Sequence, residues 1–237
     1  MPTMTYSITP LLTGARNPDQ GIMTYQRGYG RSIWLPIWAF LLRGEKTVLV
    51  DTGLDEDEFM VPAGFTEQTG LTPLPLTEAL AAQGLAPEDV DVVLNTHLHD
   101  DHCGNNRLFP HAAFYVHAVE LDFCRNPHPL DHRYDTYFIE DQEFHVVREE
   151  GEILPGIRVL HSPGHTPGCM TVLVDTAAGV AAITGFCCNA ENFPANGPAI
   201  CPGVHTDALA AWDSIQRVKG LGATILPMHE LRLPSLP

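Results

Sequence analysis

The sequence has no run of basic residues: its 13 lysines and arginines are scattered among 29 acidic residues, for a formal net charge of -16. That balance argues against a nucleic-acid partner or an anionic membrane surface. Long apolar runs are also missing. The longest stretch, residues 33–42, carries two tryptophans and a proline and is too short to span a bilayer. The opening MPTMTYSITPLL has no charged segment followed by an apolar one and a small-residue cleavage site, so a cytoplasmic location is expected. The six cysteines, Cys103, Cys124, Cys169, Cys187, Cys188 and Cys201, show no CxxC spacing, and a disulfide framework is not expected at this length.

What is present suits one large domain over residues 1–237: 44% of the chain is hydrophobic, enough for a substantial core. The acidic balance and 12 histidines also suit a cation. Residues 47–50 read as a short strand ending in Asp51-Thr52-Gly53, a turn. Residues 77–83 have good helix formers, with Thr77 as N-cap and Gly84 as stop. The apolar run 90–94 predicts a strand covered on both faces. Further strands are expected at 157–160, 171–174, 180–184 and 224–226. A helix over 207–218 should present Leu209, Trp212, Ile215 and Val218. Strand-rich segments with helices between them, repeated in two halves, predict two sheets packed face to face with helices outside. Residues 125–148, rich in Pro, His, Asp and aromatics, form the least regular stretch and a candidate active-site loop.

The chemistry concentrates in THLHDDH, residues 96–102, directly after a buried strand. Imidazole and carboxylate are the ligands that Zn²⁺ and similar ions prefer. On an extended segment His97 and His99 point the same way and can reach one ion. Asp101 and His102 follow on a turn into the next helix, aimed at a neighbouring position. The other histidines, His111, His117, His128, His132, His145, His161 and His205, lack ligand spacing and read as hydrogen-bonded or surface side chains, with His117, His128 and His132 as further candidates for a pocket wall.

HLHDDH resembles the HxHxDH signature of the metallo-β-lactamase superfamily. The wider text NTHLHDDHCGNNRLFPHAAFYVH is similar to its N-acyl homoserine lactonase branch. The resemblance runs from about Leu49 to His229. It implies an α/β fold, the four-layer αββα sandwich, with the metal site at one edge. It also implies that His165 in SPGHTPG completes a first site with His97 and His99, that His229 in LPMHE completes a second with Asp101 and His102, and that Asp51 orients the metal loop without binding metal. One or two Zn²⁺ ions are expected, with Mn²⁺ or Fe²⁺ as alternatives.

The implied reaction opens a small lactone or ester by attack of a metal-bound hydroxide, with Asp101 passing the proton to the leaving group. A cyclic amide, imide or β-lactam-type amide is the alternative substrate, and a metal- or ligand-binding protein without turnover the alternative class. The chain departs from the family in two places. The usual bridging aspartate of a TGD motif is missing from TGFCC, residues 184–188, where either Cys187 or Cys188 replaces it as a metal ligand or the bridge is lost and both thiols are core or pocket-wall residues. No tyrosine follows that motif, so Tyr115, Tyr134 and Tyr137 become candidate proton donors.

Overall fold

The apolar run at 35–42 becomes β2 (Leu35–Arg43), buried at every position but the last. It pairs antiparallel with β1 (Ser7–Arg16) and with β3 (Thr47–Val50). Parallel pairing then adds β4 (Val92–Leu94), β5 (Ala113–His117) and β6 (Phe144–Val147), giving a six-stranded sheet in chain order. A second sheet has the order β11-β10-β9-β8-β7, made of β7 (Gly151–Leu154), β8 (Ile157–His161), β9 (Met170–Thr176), β10 (Gly179–Ile183) and β11 (Thr224–Leu226). These elements come from a computed structural model, which describes residues 4–234.

Strand alternation explains the layers. Phe40, Leu42, Val48, Val50 and Leu94 join a core shared with Ile157, Val159, Val172, Val174 and Ile183 of the second sheet. Their neighbours Ala39, Leu41, Leu49 and Val93 face the other way, under Leu76, Ala79 and Leu80 of α2 (Leu76–Ala81), which follows the five-residue α1 (Phe65–Thr69). Each such aliphatic side chain contributes about 1.5–3 kcal/mol when fully buried. The short α3 (Asp100–Cys103) follows β4, and α4 (Ala118–Arg125) packs Leu121 and Cys124 against Val116 of β5. On the far side α5 (Ala208–Lys219) lays Ile215 and Val218 on Cys169, Phe186 and Cys188. The result is the expected α/β sandwich. Among the described residues no helix is long and apolar enough to cross a membrane.

Three expectations need correction. The helix at 77–83 begins earlier, at Leu76, because Thr77 is not its cap; the Thr77 amide and hydroxyl both donate to Glu56 Oε2, at 3.2 and 2.9 Å. The strand at 90–94 shortens to β4 because Val90 closes the preceding turn, donating its N–H to Pro87 O. On α5, Leu209 and Trp212 are exposed, and the buried stripe runs Ala211, Ser214, Ile215 and Val218. Small residues are required there. Gly164, at φ +124°, lies so close that a Cβ on it would sit 2.1 Å from the Ala211 nitrogen.

At the end of the sandwich that carries SPGH, His117 of β5 and His161 of β8 stack across the two sheets, with ring centroids 4.1 Å apart and planes 9° from parallel. Burial, and then the neighbouring His161, lower the His117 pKa from its ordinary 6.5 to about 4. The unfolded chain therefore takes up a proton at this position before the native one does. Its contribution is present above pH 6.5 and is lost as pH falls towards 4, at up to about 1.4 kcal/mol per pH unit. His117 Nδ1 accepts from the Val119 amide, a bond that asparagine can also make. His117→Asn should therefore flatten the dependence of urea midpoint on pH between 7 and 4.5; an unchanged slope would place the titration elsewhere.

Candidate metal centre and active site

The site is built around Asp51, the residue after β3. It is fully buried and holds a left-handed φ of +58°, uncommon for a side chain other than glycine or asparagine. From there Oδ1 accepts the Thr96 amide at 2.7 Å, and Oδ2 accepts the Thr96 hydroxyl and His102 Nδ1–H, each at 2.7 Å. One carboxylate thus fixes both ends of the 96–102 loop.

The loop's histidines are oriented by what their other ring nitrogens touch. Thr96 spends its hydroxyl proton on Asp51, so its oxygen accepts from His97 Nδ1 at 3.1 Å. His165 Nδ1 donates to Val204 O and His229 Nδ1 to Pro36 O, each at 2.9 Å, while His99 Nε2 donates to Asp131 at 3.3 Å. A neutral imidazole that donates from one nitrogen keeps a lone pair on the other, the form a metal ligand needs. The free nitrogens converge. His97, His99 and His165 form one group and Asp101, His102 and His229 another, all buried, with the ligand atoms of each group within 4.8 Å of one another.

These donors fit a divalent cation. His97 Nε2 and His99 Nδ1 face each other at 3.0 Å, and the partners on their far sides leave both with lone pairs. Two lone pairs in such a contact repel unless a cation lies between them. Burial, and after it the neighbouring imidazoles, push the His97 pKa well down, and burial lowers His99 and His229 to about 4, so these rings are neutral at physiological pH. Burial likewise lowers His165. His102 differs: burial opposes its charge, yet Asp101 and Asp51 beside it raise its pKa. Asp101 is held well below the usual carboxylate range by His102, Arg16 and His229, against the effect of burial.

Both groups open into a cavity of about 450 Å³. Ile22, Leu35 and Val204 line an apolar part of its wall, and the loop at 125–148 contributes Leu130, His132 and Arg133. Cys187 lies on this wall with Sγ 3.3 Å from Met23 Sδ, whereas Cys188 Sγ is 3.1 Å from the Thr184 hydroxyl in the apolar layer under α5. Neither sulfur joins either group of ligands. The chain bends at Phe186 and Cys187 after β10 has ended, and this leaves Phe186 and Cys188 in the layer under α5 and Cys187 on the cavity side. The candidate tyrosines do not reach the cavity wall. Tyr115 stacks on His145, the Tyr134 hydroxyl donates to Glu120 at 2.8 Å, and Tyr137 is half exposed beside Arg107. Of His117, His128 and His132, His132 alone lines this cavity.

Sequence reasoning missed Glu120, whose only advance sign was an acidic residue on the first turn of a helix. It is fully buried on α4 and accepts four hydrogen bonds, from Leu98 N, Tyr134 Oη, Thr166 Oγ1 and Gly168 N, at 2.7–3.0 Å. It therefore ties the His97–His99 strand end to the loop carrying His165. Glu120→Ala would strand four donors in the core and should cost about 3 kcal/mol or more. Urea denaturation checks this, and a cost below about 1 kcal/mol would show that the donors find other partners.

Known proteins share this fold. An N-acyl homoserine lactonase from a Bacillus species is 29% identical over 156 residues, 62% of this chain, and the match spans 61% of that relative's length. A crystal structure of a Bacillus thuringiensis AiiA mutant with N-decanoyl-L-homoserine bound at its active site superimposes with a TM-score of 0.77 at 24% identity, covering 96% of this chain and 94% of that one. AidC, described as a dizinc quorum-quenching lactonase, superimposes with a TM-score of 0.68 at 19% identity, covering 96% and 91%. The two buried ligand groups at the sandwich edge lie on that shared fold, and the model of the Metallo-beta-lactamase superfamily matches residues 32–227, most of the chain: the protein belongs to that superfamily.

Proposed function

We propose that the protein is a metal-dependent hydrolase that opens a small lactone or ester in the cavity above His97, His99, Asp101, His102, His165 and His229. The observation that carries this reading is the convergence of six buried ligands in two adjacent groups, five of which, all but His97, line a cavity with an apolar wall. The named activity of the Bacillus relative is consistent with it. His97, His99 and His165 would hold one ion and Asp101, His102 and His229 a second; the nitrogen-rich donor set favours Zn²⁺. A cation there supplies Lewis acidity and a water acidic enough to act as nucleophile near neutral pH. Asp101, kept ionised by His102, Arg16 and His229, is the group placed to take up a proton and return it to the leaving alkoxide. No tyrosine lines the cavity among the described residues, so that return does not fall to a phenol. Ile22, Leu35 and Val204 would hold the alkyl part of the substrate away from water. A cytoplasmic location and a single domain complete the reading.

The test is a panel of small lactones, esters, cyclic imides and cyclic amides followed by chromatography of the hydrolysed product, with protein loaded with Zn²⁺, Mn²⁺ or Fe²⁺ and its metal content measured. One or two bound equivalents with lactone or ester turnover are expected. Turnover of cyclic amides and imides alone would move the assignment to the amide bond. Bound metal without turnover of any member would leave a binding protein.

A further inference from the structure

The cavity carries two arginines in a chain with only 13 basic residues. Arg133 acts electrostatically on His97, His99 and His165, Arg16 acts on His229, and both act on Asp101 and Cys187. Their engagement differs. Arg133 is committed side-on, with Nε and Nη2 each donating to Asp131 at 2.7 Å, and Asp131 in turn orients His99. Among the described residues Arg16 makes one hydrogen bond, from Nη2 to Asp100 Oδ2 at 2.6 Å, and its side chain is 39% exposed. A guanidinium has five N–H donors in a planar fork, so most of those on Arg16 have no partner among the described residues, and the side chain lines both this cavity and a neighbouring one that Asp100 also lines.

Its position is built into the sheet. The register between β1 and β2 slips between Leu12 and Gly14, so that Ala15 takes the core face with Leu12, and Arg16, opposite Leu35, is turned out of the core. Leu35 lines the same cavity, which places an apolar wall beside the open guanidinium.

We propose that Arg16 is a specificity-determining residue that binds a carboxylate carried by the substrate in addition to its lactone or ester group. The inference rests on the hydrolase reading above. A carboxylate matches the planar fork in a bidentate manner, and Asp100 already shows that this guanidinium accepts one. A phosphate dianion would bring twice the charge beside Asp100 and Asp101 and is the poorer fit.

The experiment compares butyrolactone with its ring-carboxylated analogue, and separately the binding of butyrate and glutarate to the Zn²⁺-loaded protein by calorimetry. The wild type should favour the carboxylated lactone in kcat/KM, and glutarate in affinity, by about ten- to a hundredfold. Arg16→Met should bring both ratios close to one, mainly through KM, and Arg16→Lys should restore only part. Should Arg16→Met fail to fold, Asp100→Asn supplies a test of opposite sign: freeing the guanidinium should raise both ratios. Ratios near one in the wild type, or unchanged in the variants, would overturn the proposal. If neither lactone is turned over, the lactone branch of the hydrolase reading fails, while the glutarate-to-butyrate ratio still decides the role of Arg16.

Discussion

Replacing His97 by alanine is expected to remove metal from the first ligand group and to lower lactone or ester turnover by about a thousandfold or more, the scale of losing the activated water and the Lewis acid together. The expectation follows from how completely this ring is committed. It is fully buried, its Nδ1 is tied to Thr96, and its Nε2 faces His99 Nδ1 at 3.0 Å. No other nitrogen can take its place, because His99 and His165 are each held from behind by Asp131 and Val204. The ring also lies 3.8 Å from that of His102, centroid to centroid, so its loss should loosen the second group as well. Bound metal per chain and kcat/KM should fall together. Stability of the metal-free protein should change far less, since the repulsive contact with His99 disappears along with the packing. A variant that keeps both its metal and its rate would refute the assignment of the first group.

The ligands could be read from the sequence because chemistry and local geometry coincide there: an apolar strand ends, and imidazoles follow at a spacing that an extended chain turns to one side. The residues that hold and surround them could not. Arg16 meets Asp100 across 84 positions, and the meeting depends on a register slip between β1 and β2 that no local pattern announces. Glu120 and Asp131 look like ordinary surface acids until α4 and the 125–148 loop fold over the site. The sandwich itself was legible from strand periodicity, whereas the buried stripe of α5 was legible only at Ile215 and Val218. Apolar spacing pointed to Leu209 and Trp212, but close approach to Gly164 selects Ala211 and Ser214 for the contact. The missing aspartate at Phe186 drew attention to both cysteines, and only the bend that the folded chain makes after β10 separates Cys187 from Cys188.

Asp51 should separate positioning of the metal loop from ligation. Its carboxylate receives three donors and its backbone holds φ +58°, a conformation that asparagine tolerates and alanine adopts at a cost of about 1–2 kcal/mol. Asp51→Asn keeps the backbone conformation and one oxygen for the Thr96 amide. Its NH₂ group, however, must face Thr96 Oγ1 and His102 Nδ1, which at present are both donors. One of them then has to turn. If Thr96 turns, His97 loses the acceptor that fixes its tautomer; if His102 turns, its Nε2 no longer carries the lone pair on the side of Asp101. Either change weakens the groups without removing a ligand, and second-sphere losses of this kind typically cost about 10- to 100-fold in metal affinity. Asp51→Ala adds backbone strain and leaves the Thr96 amide without its acceptor in the core, about 1–3 kcal/mol more. The asparagine variant is therefore expected to unfold at nearly the wild-type urea concentration when metal-free yet to lose Zn²⁺ to a chromophoric chelator 10- to 100-fold more readily, at about the scale of second-sphere changes. The alanine variant should lose both stability and metal. Equal Zn²⁺ affinity in the asparagine variant and the wild type would mean that the six ligands find their places without the carboxylate, and that Asp51 serves the turn alone.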